Sequence, residues 1–470
     1  MEGKAVNEQN AMQAFTLRPY QEAAVSAGLD ALNTRKNGIL VLPTGSGKSL
    51  IISEIAQRAG GRSVILQPTK EILEQNLAKM KCYGVRDIGI YSASMNKKTI
   101  GQVTFATIGT IIKRKHAFEA FDRVIVDECH RVNSKGGQYE EFISHLGLPT
   151  IGLTATPYRL RSYRDQMGEP VAESRILTRT RPRIFSRIAH VTQLPELFEA
   201  GYLSTIHYSL CADYDSREIR SNSTGQGYDD ASLERYNQQK SIPDKIVAEV
   251  VKESSKHILA FTPFVSESQA VVEKLKSRGV SCRTVTATTS KDDRETVIWR
   301  FRSGEIRCVV NVGIFVLGFD YPELDCIILG RVTKSVGLYY QMVGRGIRPY
   351  PGKKNCKLID LTDNVSRFGR IETFVFYDRN GNGMWRLKSN VGPLTGVDVT
   401  TGTELESVKA RPIPSNDETL VIPFGKHKDQ PISEVPTGYL RWAVENFDNS
   451  QWKSAFRLEI QKRQQEKATV

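Results

Sequence analysis

The fold is decided by the stretch Leu42-Pro43-Thr44-Gly45-Ser46-Gly47-Lys48-Ser49, with an apolar run before it and a helical pattern at residues 50–59 after it. Glycines in such a loop let backbone N–H groups turn toward phosphate oxygens, which the start of the following helix also attracts. Lys48 can reach the β- and γ-phosphates, and the Ser49 hydroxyl can hold Mg²⁺. The generic P-loop pattern has Gly where this chain has Leu42. The alternative is a Gly/Ser turn, but the strand–loop–helix context favours a nucleotide site.

Length and composition predict an ordinary globular protein. A chain of 470 residues, 40% hydrophobic and 25% charged, is long enough for two or three domains. No apolar run is long enough to span a membrane, and the N-terminus MEGKAVNEQNAMQ lacks the apolar core of a signal peptide. We therefore expect a cytoplasmic protein without a membrane partner.

The seven cysteines are scattered and never form a C-x-x-C pair. This spacing argues against both a disulfide framework and a zinc ribbon. We therefore expect reduced thiols and no zinc.

The net charge of +13 is unevenly distributed. Residues 371–470 contain 13 basic and 13 acidic side chains, so the whole excess lies in residues 1–370. A basic protein with a nucleotide site suggests a polyanionic partner, most simply nucleic acid. The alternative is a basic surface that is only solvated.

The order of patterns along the chain predicts an α/β fold with two parallel sheets. Short β-rich runs alternate with helical patterns at residues 63–67, 87–91, 103–107, 124–127 and 150–154, and the alternation resumes at residues 257–261, 282–286, 306–312, 326–329 and 357–361. We expect a disordered N-terminus at 1–14, a first domain at 15–160, a second at 206–370, an irregular connector at 371–419 and a small α+β module at 420–470.

Residues 158–195 interrupt this alternation and are rich in arginine. We expect an insertion or linker at 161–205. It could contact a phosphate backbone, or it could be a solvated linker.

Two strand ends carry polar residues suited to phosphate chemistry. The apolar run at residues 124–126 ends in Asp127 and Glu128, of which the first suits an anchor for Mg²⁺ and the second a group that orients or deprotonates water. Thr154 and Thr156 follow another run, and their hydroxyls could relay the state of the acidic loop. The alternative for them is a threonine-rich strand end before a proline turn.

In the second α/β half, Gln341 begins the string QMVGRGIR. Arg345 and Arg348 are about one helical turn apart and should face the same way. Guanidinium groups suit γ-phosphate oxygens and the charge of a transition state. They would complete the nucleotide site from the domain that lacks the P-loop; the alternative is a basic face for a phosphate backbone.

Together these strings resemble the motifs of the superfamily 2 helicases, which have two RecA-like domains. In order, they are LRPYQ (17–21), LPTGSGKS (42–49), LQPTKEIL (66–73), ATIGT (106–110), DECH (127–130), LTATP (153–157), HILAFTPFVSESQAV (257–271), NVGIFVLGFDYPELD (311–325) and QMVGRGIR (341–348). Within the superfamily, VDECHRV, GLTATPYRL and YYQMVGRGIRPYPGKKN resemble RadD-type repair helicases and related phage helicases. The chain differs from that type in having no cysteine-rich zinc module.

The resemblance implies roles for individual residues. Nucleotide contacts would come from the N-terminal motif LRPYQ, the P-loop and the string NVGIFVLGFDYPELD, which is motif V of the family. The residues are Arg18, Gln21 in the adenine-reading position, Pro43, Thr44, Gly45, Ser46, Gly47, Lys48, Ser49, Gly318 and Asp320. Ser49 and Asp127 would hold Mg²⁺, and Lys48, Glu128, Gln341, Arg345 and Arg348 would join Asp127 in catalysis. His130 would couple the domains together with Thr154 and Thr156.

Nucleic-acid contacts would come from Pro68, Thr69, Thr107, Thr262 and Thr286. Motif V departs from the family pattern, because Val316 and Leu317 precede Gly318 where a threonine usually stands.

We therefore expect an ATP- and Mg²⁺-dependent DNA helicase or translocase acting on single-stranded or branched DNA. The alternatives are an ATPase switch that unwinds nothing, and an RNA helicase. The C-terminal module places Lys426, His427 and Lys428 near Tyr439 and Trp442, which suits stacking on an unpaired base or binding a repair or replication protein. Alternatively, Phe424, Leu440 and Trp442 form a small core and the lysines are solvated.

Overall fold

The protein is described from a computed structural model, which describes residues 16–133, 137–164, 170–180, 183–313, 321–402, 422, 427–428, 430–446, 452–453, 455–457, 459–461 and 463. The chain divides into two compact units, Met1–Glu404 and Leu405–Val470. The predicted disorder at 1–14 lies outside the described residues.

The helices and strands follow each other in regular alternation through most of the first unit. The α-helices are α1 (Pro19–Asn33), α2 (Lys48–Arg58), α3 (Lys70–Cys82), α4 (Ile108–Ile111), α5 (Gln138–Leu146), α6 (Leu194–Glu199), α7 (Asp230–Gln239), α8 (Ile242–Lys252), α9 (Val265–Ser277), α10 (Lys291–Arg302), α11 (Val336–Val343), α12 (Asn364–Phe368) and α13 (Thr437–Asn446). The strands are β1 (Gly38–Val41), β2 (Ser63–Gln67), β3 (Ile88–Ser92), β4 (Lys97–Lys98), β5 (Val103–Thr107), β6 (Arg123–Asp127), β7 (Thr150–Thr154), β8 (Tyr158–Arg164), β9 (Pro170–Ile176), β10 (Arg187–Val191), β11 (Thr205–Leu210), β12 (Ile258–Phe261), β13 (Cys282–Val285), β14 (Cys308–Asn311), β15 (Cys326–Leu329), β16 (Asn355–Asp360), β17 (Val375–Asp378), β18 (Trp385–Ser389) and β19 (Gly392–Pro393).

The first sheet has the order β10-β1-β7-β6-β2-β5-β3-β4. All its neighbours pair in parallel except the short β4, which pairs antiparallel with β3. Its central strands β1, β2 and β7 are buried along their whole length, as expected for a parallel sheet with both faces covered. The carboxyl ends of β1, β6 and β7 lie at one edge of this sheet, which is where ligands of such folds gather.

The second sheet is wholly parallel, with the order β11-β16-β15-β12-β14-β13. The pattern of two parallel sheets in tandem is the one that the sequence predicts. Each sheet has its own buried apolar layer, and one larger layer contains side chains of both, from Val41 in β1 to Leu329 in β15.

The segment predicted as an insertion or linker at 161–205 has more structure than expected. Strands β8 and β9 form an antiparallel hairpin directly after the predicted motif LTATP. Strand β10 then joins the edge of the first sheet beside β1, so the first sheet extends to Val191 rather than ending near residue 160. An edge strand pairs on one side only and need not be uniformly apolar, which explains why the sequence RIAHV did not reveal it.

The predicted connector at 371–419 contains a third sheet, in which β17, β18 and β19 pair antiparallel. Tyr158 of β8 stacks on Phe376 of β17, with ring centroids 6.4 Å apart. The start of the hairpin is therefore packed against this small sheet.

The second unit has a small core of its own, formed by Ile422, Ile432, Val435, Leu440, Ala443, Ala455 and Phe456. The strand predicted near Leu420 lies largely outside the described residues. Of the three residues that the alternative interpretation places in a core, Leu440 belongs to it, Trp442 is half exposed and does not, and Phe424 lies outside the described residues.

All seven cysteines are free thiols: Cys82 is exposed, Cys211 is partly buried, and the other five are buried. None of the helices that the structure describes has the length and apolar character needed to cross a lipid bilayer.

Candidate functional site

The loop between β1 and α2 has the backbone shape that the sequence predicts. Gly45 and Gly47 both adopt positive φ angles, +84° and +83°, which side chains with a Cβ rarely accept. Pro43 accepts a hydrogen bond from the Ser46 N–H, and Lys48 begins helix α2. The loop therefore presents the helix start and several N–H groups to one cleft.

The predicted N-terminal motif, LRPYQ, is hydrogen-bonded to this loop. The side chain of Gln21 donates to the Ser46 carbonyl oxygen at 2.9 Å and accepts from the Arg18 N–H at 2.9 Å. The Arg18 guanidinium lies 4.0 Å from the ring centroid of Tyr202. Gln21 is buried, so in this conformation it supports the loop; its reading of adenine stays a prediction.

The predicted acidic pair lies at the end of β6, with β7 between it and the strand that leads into the loop. Lys48 Nζ is 3.4 Å from a carboxylate oxygen of Glu128, whose backbone is left-handed at φ +49°. Burial, and then the Glu128 charge, raises the pKa of Asp127 to about 6. Burial also acts to raise the pKa of Glu128, but Lys48 and His130 outweigh it and lower that pKa.

Asn76 on helix α3 connects the two residues predicted to hold Mg²⁺. Its side-chain oxygen accepts from the Ser49 hydroxyl at 2.6 Å, and its nitrogen donates to Asp127 at 2.9 Å and to Gln67 at 3.1 Å. The hydroxyl and the carboxylate are thus held in one hydrogen-bonded chain. The buried carboxylate of Asp127 and the partly buried carboxylate of Glu128 lie beside a single lysine, which leaves a deficit of positive charge. These residues therefore fit a divalent cation.

The three predicted coupling residues are in mutual contact. His130 Nδ1 lies 2.9 Å from the Thr154 hydroxyl, 3.3 Å from the Thr156 hydroxyl and 3.3 Å from Glu128. On its other side, His130 Nε2 is 3.5 Å from Gln341 Nε2. This chain of contacts runs from the acidic pair to a residue of the second α/β domain.

Helix α11 and the turn after it form the opposite wall of the cleft. Gln341, Arg345 and Arg348 line it together with the loop and the acidic pair, around a cavity of about 320 Å³. The Tyr340 hydroxyl accepts from the Thr44 N–H at 3.0 Å, and burial raises its pKa to about 12. The structure therefore brings the predicted catalytic residues of both domains into one cleft.

The residues predicted to contact nucleic acid are placed less uniformly. Pro68 and Thr69 lie between β2 and α3, and Thr107 precedes α4. Thr262 is fully buried, its hydroxyl bonded to a backbone oxygen, and Thr286 is 7% exposed, its hydroxyl paired with that of Thr288. Because buried hydroxyls with internal partners do not face a ligand, we do not retain Thr262 and Thr286 as side-chain contacts in this conformation.

Two predicted nucleotide contacts, Gly318 and Asp320, lie outside the described residues. Two residues that the sequence did not single out, Asn76 and Tyr340, make contacts of this cleft instead. The sequence holds one weak indication of each. Tyr340 stands directly before the string QMVGRGIR, and Asn76 is a polar residue on the buried face of α3.

Two family models match the two α/β domains. The model "Type III restriction enzyme, res subunit" matches residues 14–159, and the model "Helicase conserved C-terminal domain" matches residues 241–349. The chain belongs to the superfamily 2 helicases. The first model includes the P-loop and the strings DECH and LTATP. The second includes the cleft wall formed by Gln341, Arg345 and Arg348.

Curated relatives agree with this placement. A Saccharomyces cerevisiae protein provisionally named ATP-dependent helicase IRC3 is 27% identical over 379 residues, covering 74% of this chain and 52% of the relative. A 51.5 kDa protein of a Lactococcus phage is 27% identical, covering 74% and 70%. The "DNA 3'-5' translocase XPB2" of Sulfurisphaera tokodaii is 25% identical, covering 71% and 78%. The chain thus spans about half the length of the yeast relative, and the likeness to RadD-type helicases stays a prediction.

Solved structures support the fold. The Type ISP restriction-modification enzyme LlaBIII, solved bound to DNA, matches with a TM-score of 0.53 and 15% identity, covering 74% of this chain and 28% of the enzyme. A fragment of an HsdR subunit of a type I restriction enzyme from Vibrio vulnificus, itself a provisional assignment, matches with a TM-score of 0.55 and 18% identity, covering 76% and 67%. The two α/β domains are therefore a RecA-like tandem, as the sequence predicts.

Proposed function

We propose that this protein is a nucleic-acid-stimulated ATPase that translocates on DNA or remodels it. The observation that carries the proposal is the cleft, in which Lys48 and the Asp127–Glu128 pair of one domain face Gln341, Arg345 and Arg348 of the other. A site shared between two domains can hydrolyse ATP efficiently only when the domains are together. Hydrolysis is thereby linked to relative domain movement.

The chemistry follows from the charge of the side chains. Glu128 stays ionised beside Lys48 and His130, so it can orient a water molecule and take its proton. Ser49 and Asp127 would hold Mg²⁺, which supplies charge neutralisation at the phosphates when bound. The guanidinium groups of Arg345 and Arg348 can stabilise the charge that develops on the transferred phosphoryl group.

Nucleic acid is the polyanion that fits this cycle, since the chain carries a net charge of +13 and the whole excess lies in residues 1–370. DNA is favoured over RNA because two of the similar proteins are described as a DNA translocase and as an enzyme solved bound to DNA. Thr69 and Thr107, at the carboxyl edge of the first sheet, are the described candidates for backbone contacts.

The second unit offers a small aromatic surface for an unpaired base. The rings of His427 and Tyr439 have centroids 4.5 Å apart, those of Tyr439 and Trp442 are 5.5 Å apart, and Trp442 is half exposed. Base stacking on aromatic side chains is a common mode of single-strand binding. A protein partner at this unit is the alternative.

The decisive experiment compares ATP hydrolysis with single-stranded DNA, branched DNA and RNA, and measures displacement of a labelled strand from a duplex. We expect stimulation by DNA and strand displacement that requires ATP. Stimulation without displacement or movement would identify an ATPase switch, and stimulation by RNA alone would identify an RNA helicase. Hydrolysis that no nucleic acid alters would contradict the proposal.

A further inference from the structure

Two adjoining cavities, of about 460 and 520 Å³, open beside the amino ends of three strands of the first sheet. They share Arg183 and Ser186, which lie just before β10, and the first also contains Asn37 and Pro149, which precede β1 and β7. We call this surface the amino-edge groove, defined by its basic residues Arg35, Lys36, Arg175, Arg179, Arg183 and Arg187.

The groove carries an excess of positive charge that its surroundings do not neutralise. Of the described residues that line the two cavities, Glu140 alone carries a carboxylate. Outside the lining, Glu173 pairs with Arg175 and Asp30 with Arg187, at 2.8 and 2.9 Å. The other four basic side chains are exposed, and within the described residues none has an ion pair. Such an arrangement favours an anion with several charges.

The scaffold of the groove is fixed before any ligand binds. The Asn37 side chain donates to the Ile184 carbonyl at 3.1 Å and accepts from the Thr150 N–H at 2.9 Å. Its backbone oxygen accepts from both the N–H and the hydroxyl of Ser186, at 2.9 and 2.8 Å. The loops before β1, β7 and β10 are thus tied together, so little ordering is needed on binding.

The chemistry of the lining selects among nucleic acids. Among the described residues that line the two cavities there is no aromatic side chain, so this lining offers no platform on which an unpaired base could stack. Arginine, lysine, serine and asparagine are the side chains that contact phosphates without reading bases. A duplex, whose bases are already stacked and whose phosphates face outward, matches this surface better than a single strand.

We propose that the amino-edge groove binds the phosphate backbone of double-stranded DNA. The groove lies at the amino ends of the strands, whereas the P-loop, Thr69 and Thr107 lie at their carboxyl ends. The two ends are about 13 Å apart along a four-residue strand such as β1. It is therefore a second nucleic-acid site. It would hold duplex DNA while the loops that carry Thr69 and Thr107 hold the translocated strand. The inference rests on the proposed function only for the identity of the partner.

The test compares two doubly substituted proteins that lose the same charge. Arg179→Ala with Arg183→Ala removes two exposed groove side chains, and Arg235→Ala with Arg278→Ala removes two exposed arginines of the second domain. Affinity for a blunt duplex and for a single strand is measured without ATP, from about 0.05 to 0.2 M salt. We expect the groove variant to bind duplex at least about tenfold more weakly at 0.1 M salt, with a salt slope lower by about 2, because each lost B-DNA phosphate contact removes about 0.9 from the slope.

The groove variant should bind a single strand within about twofold of the unsubstituted protein. The control variant should bind both the duplex and the single strand within the same limit. Equal loss of duplex affinity in both variants would overturn the inference, since it would reflect net charge alone. An equal loss of single-strand and duplex affinity in the groove variant would also overturn it. The binding assay contains no ATP, so its result does not depend on ATP hydrolysis. If the groove variant loses duplex affinity but nucleic acid does not alter ATP hydrolysis, the proposed function is refuted and the inference about the groove still holds.

Discussion

Changing Tyr340 to Phe should slow ATP turnover while leaving ATP affinity almost unchanged. The substitution removes the hydroxyl that accepts the Thr44 N–H at 3.0 Å across the cleft. An unsatisfied buried donor costs about 1–3 kcal/mol. Thr44 is only partly buried, so water can replace part of the bond, and the cost should be near 1 kcal/mol.

A loss of about 1 kcal/mol lowers the equilibrium constant for domain closure about fivefold. If closure precedes hydrolysis, kcat should fall by a similar factor at saturating DNA, whereas the Kd for ATP should change less than twofold. Steady-state kinetics and equilibrium nucleotide binding provide these two numbers.

The matched control is Tyr339→Phe. The Tyr339 hydroxyl donates to the Gly369 oxygen at 2.9 Å within the second domain, so its loss should lower stability without slowing turnover. Equal kcat values for the two variants and the unsubstituted protein would refute the reasoning, because the contact across the cleft would then contribute nothing to closure.

Four further outcomes can be measured on the same protein. Glu128→Gln should bind ATP and Mg²⁺ yet hydrolyse ATP on the order of 10²–10⁴-fold more slowly, as loss of a positioned base commonly does; near-normal hydrolysis would reject its assigned role. Replacing both Arg345 and Arg348 by Ala should leave ATP binding almost normal and slow hydrolysis by about 10³-fold or more; a fall in DNA affinity alone would favour a phosphate-backbone role. Burial raises the pKa of Glu267 from 4.5 to about 7, so the folded state loses stability as pH rises from about 4.5 to 7. Glu267→Gln should therefore recover up to about 3 kcal/mol of folding free energy at pH 8 but little at pH 4.5. An unchanged pH dependence of Tm in this variant would contradict the assignment. Deletion after Pro414 should preserve ATPase stimulation by single strands and reduce unwinding of forks; equal losses on all substrates would indicate a structural role.

The sheet strands could be predicted because burial on both faces demands continuous apolar runs. The predicted runs at 63–67, 103–107 and 150–154 coincide with β2, β5 and β7. The P-loop and the acidic pair were equally visible, since their chemistry requires particular residue types at fixed spacing.

Contacts between distant segments could not be read from the sequence. The position of Asn76 between Ser49 and Asp127 depends on how α3 packs against helix α2 and against the carboxyl end of β6. Strand β10 depends on a free edge beside β1, and the bond from Thr44 to Tyr340 depends on how the two domains meet. Each arises from tertiary packing, for which a local pattern gives no signal.

The unequal exposure of the seven thiols makes the unsubstituted protein suitable for selective chemical labelling. Cys82 is exposed at the end of α3, whereas burial raises the pKa of Cys129, Cys308, Cys326 and Cys356 and keeps them in the unreactive protonated form. A maleimide dye should therefore attach first at Cys82. That fluorophore would be attached to the helix that carries Asn76, so it could report in real time when the end of the cleft that contains Ser49 and Asp127 rearranges during a catalytic cycle.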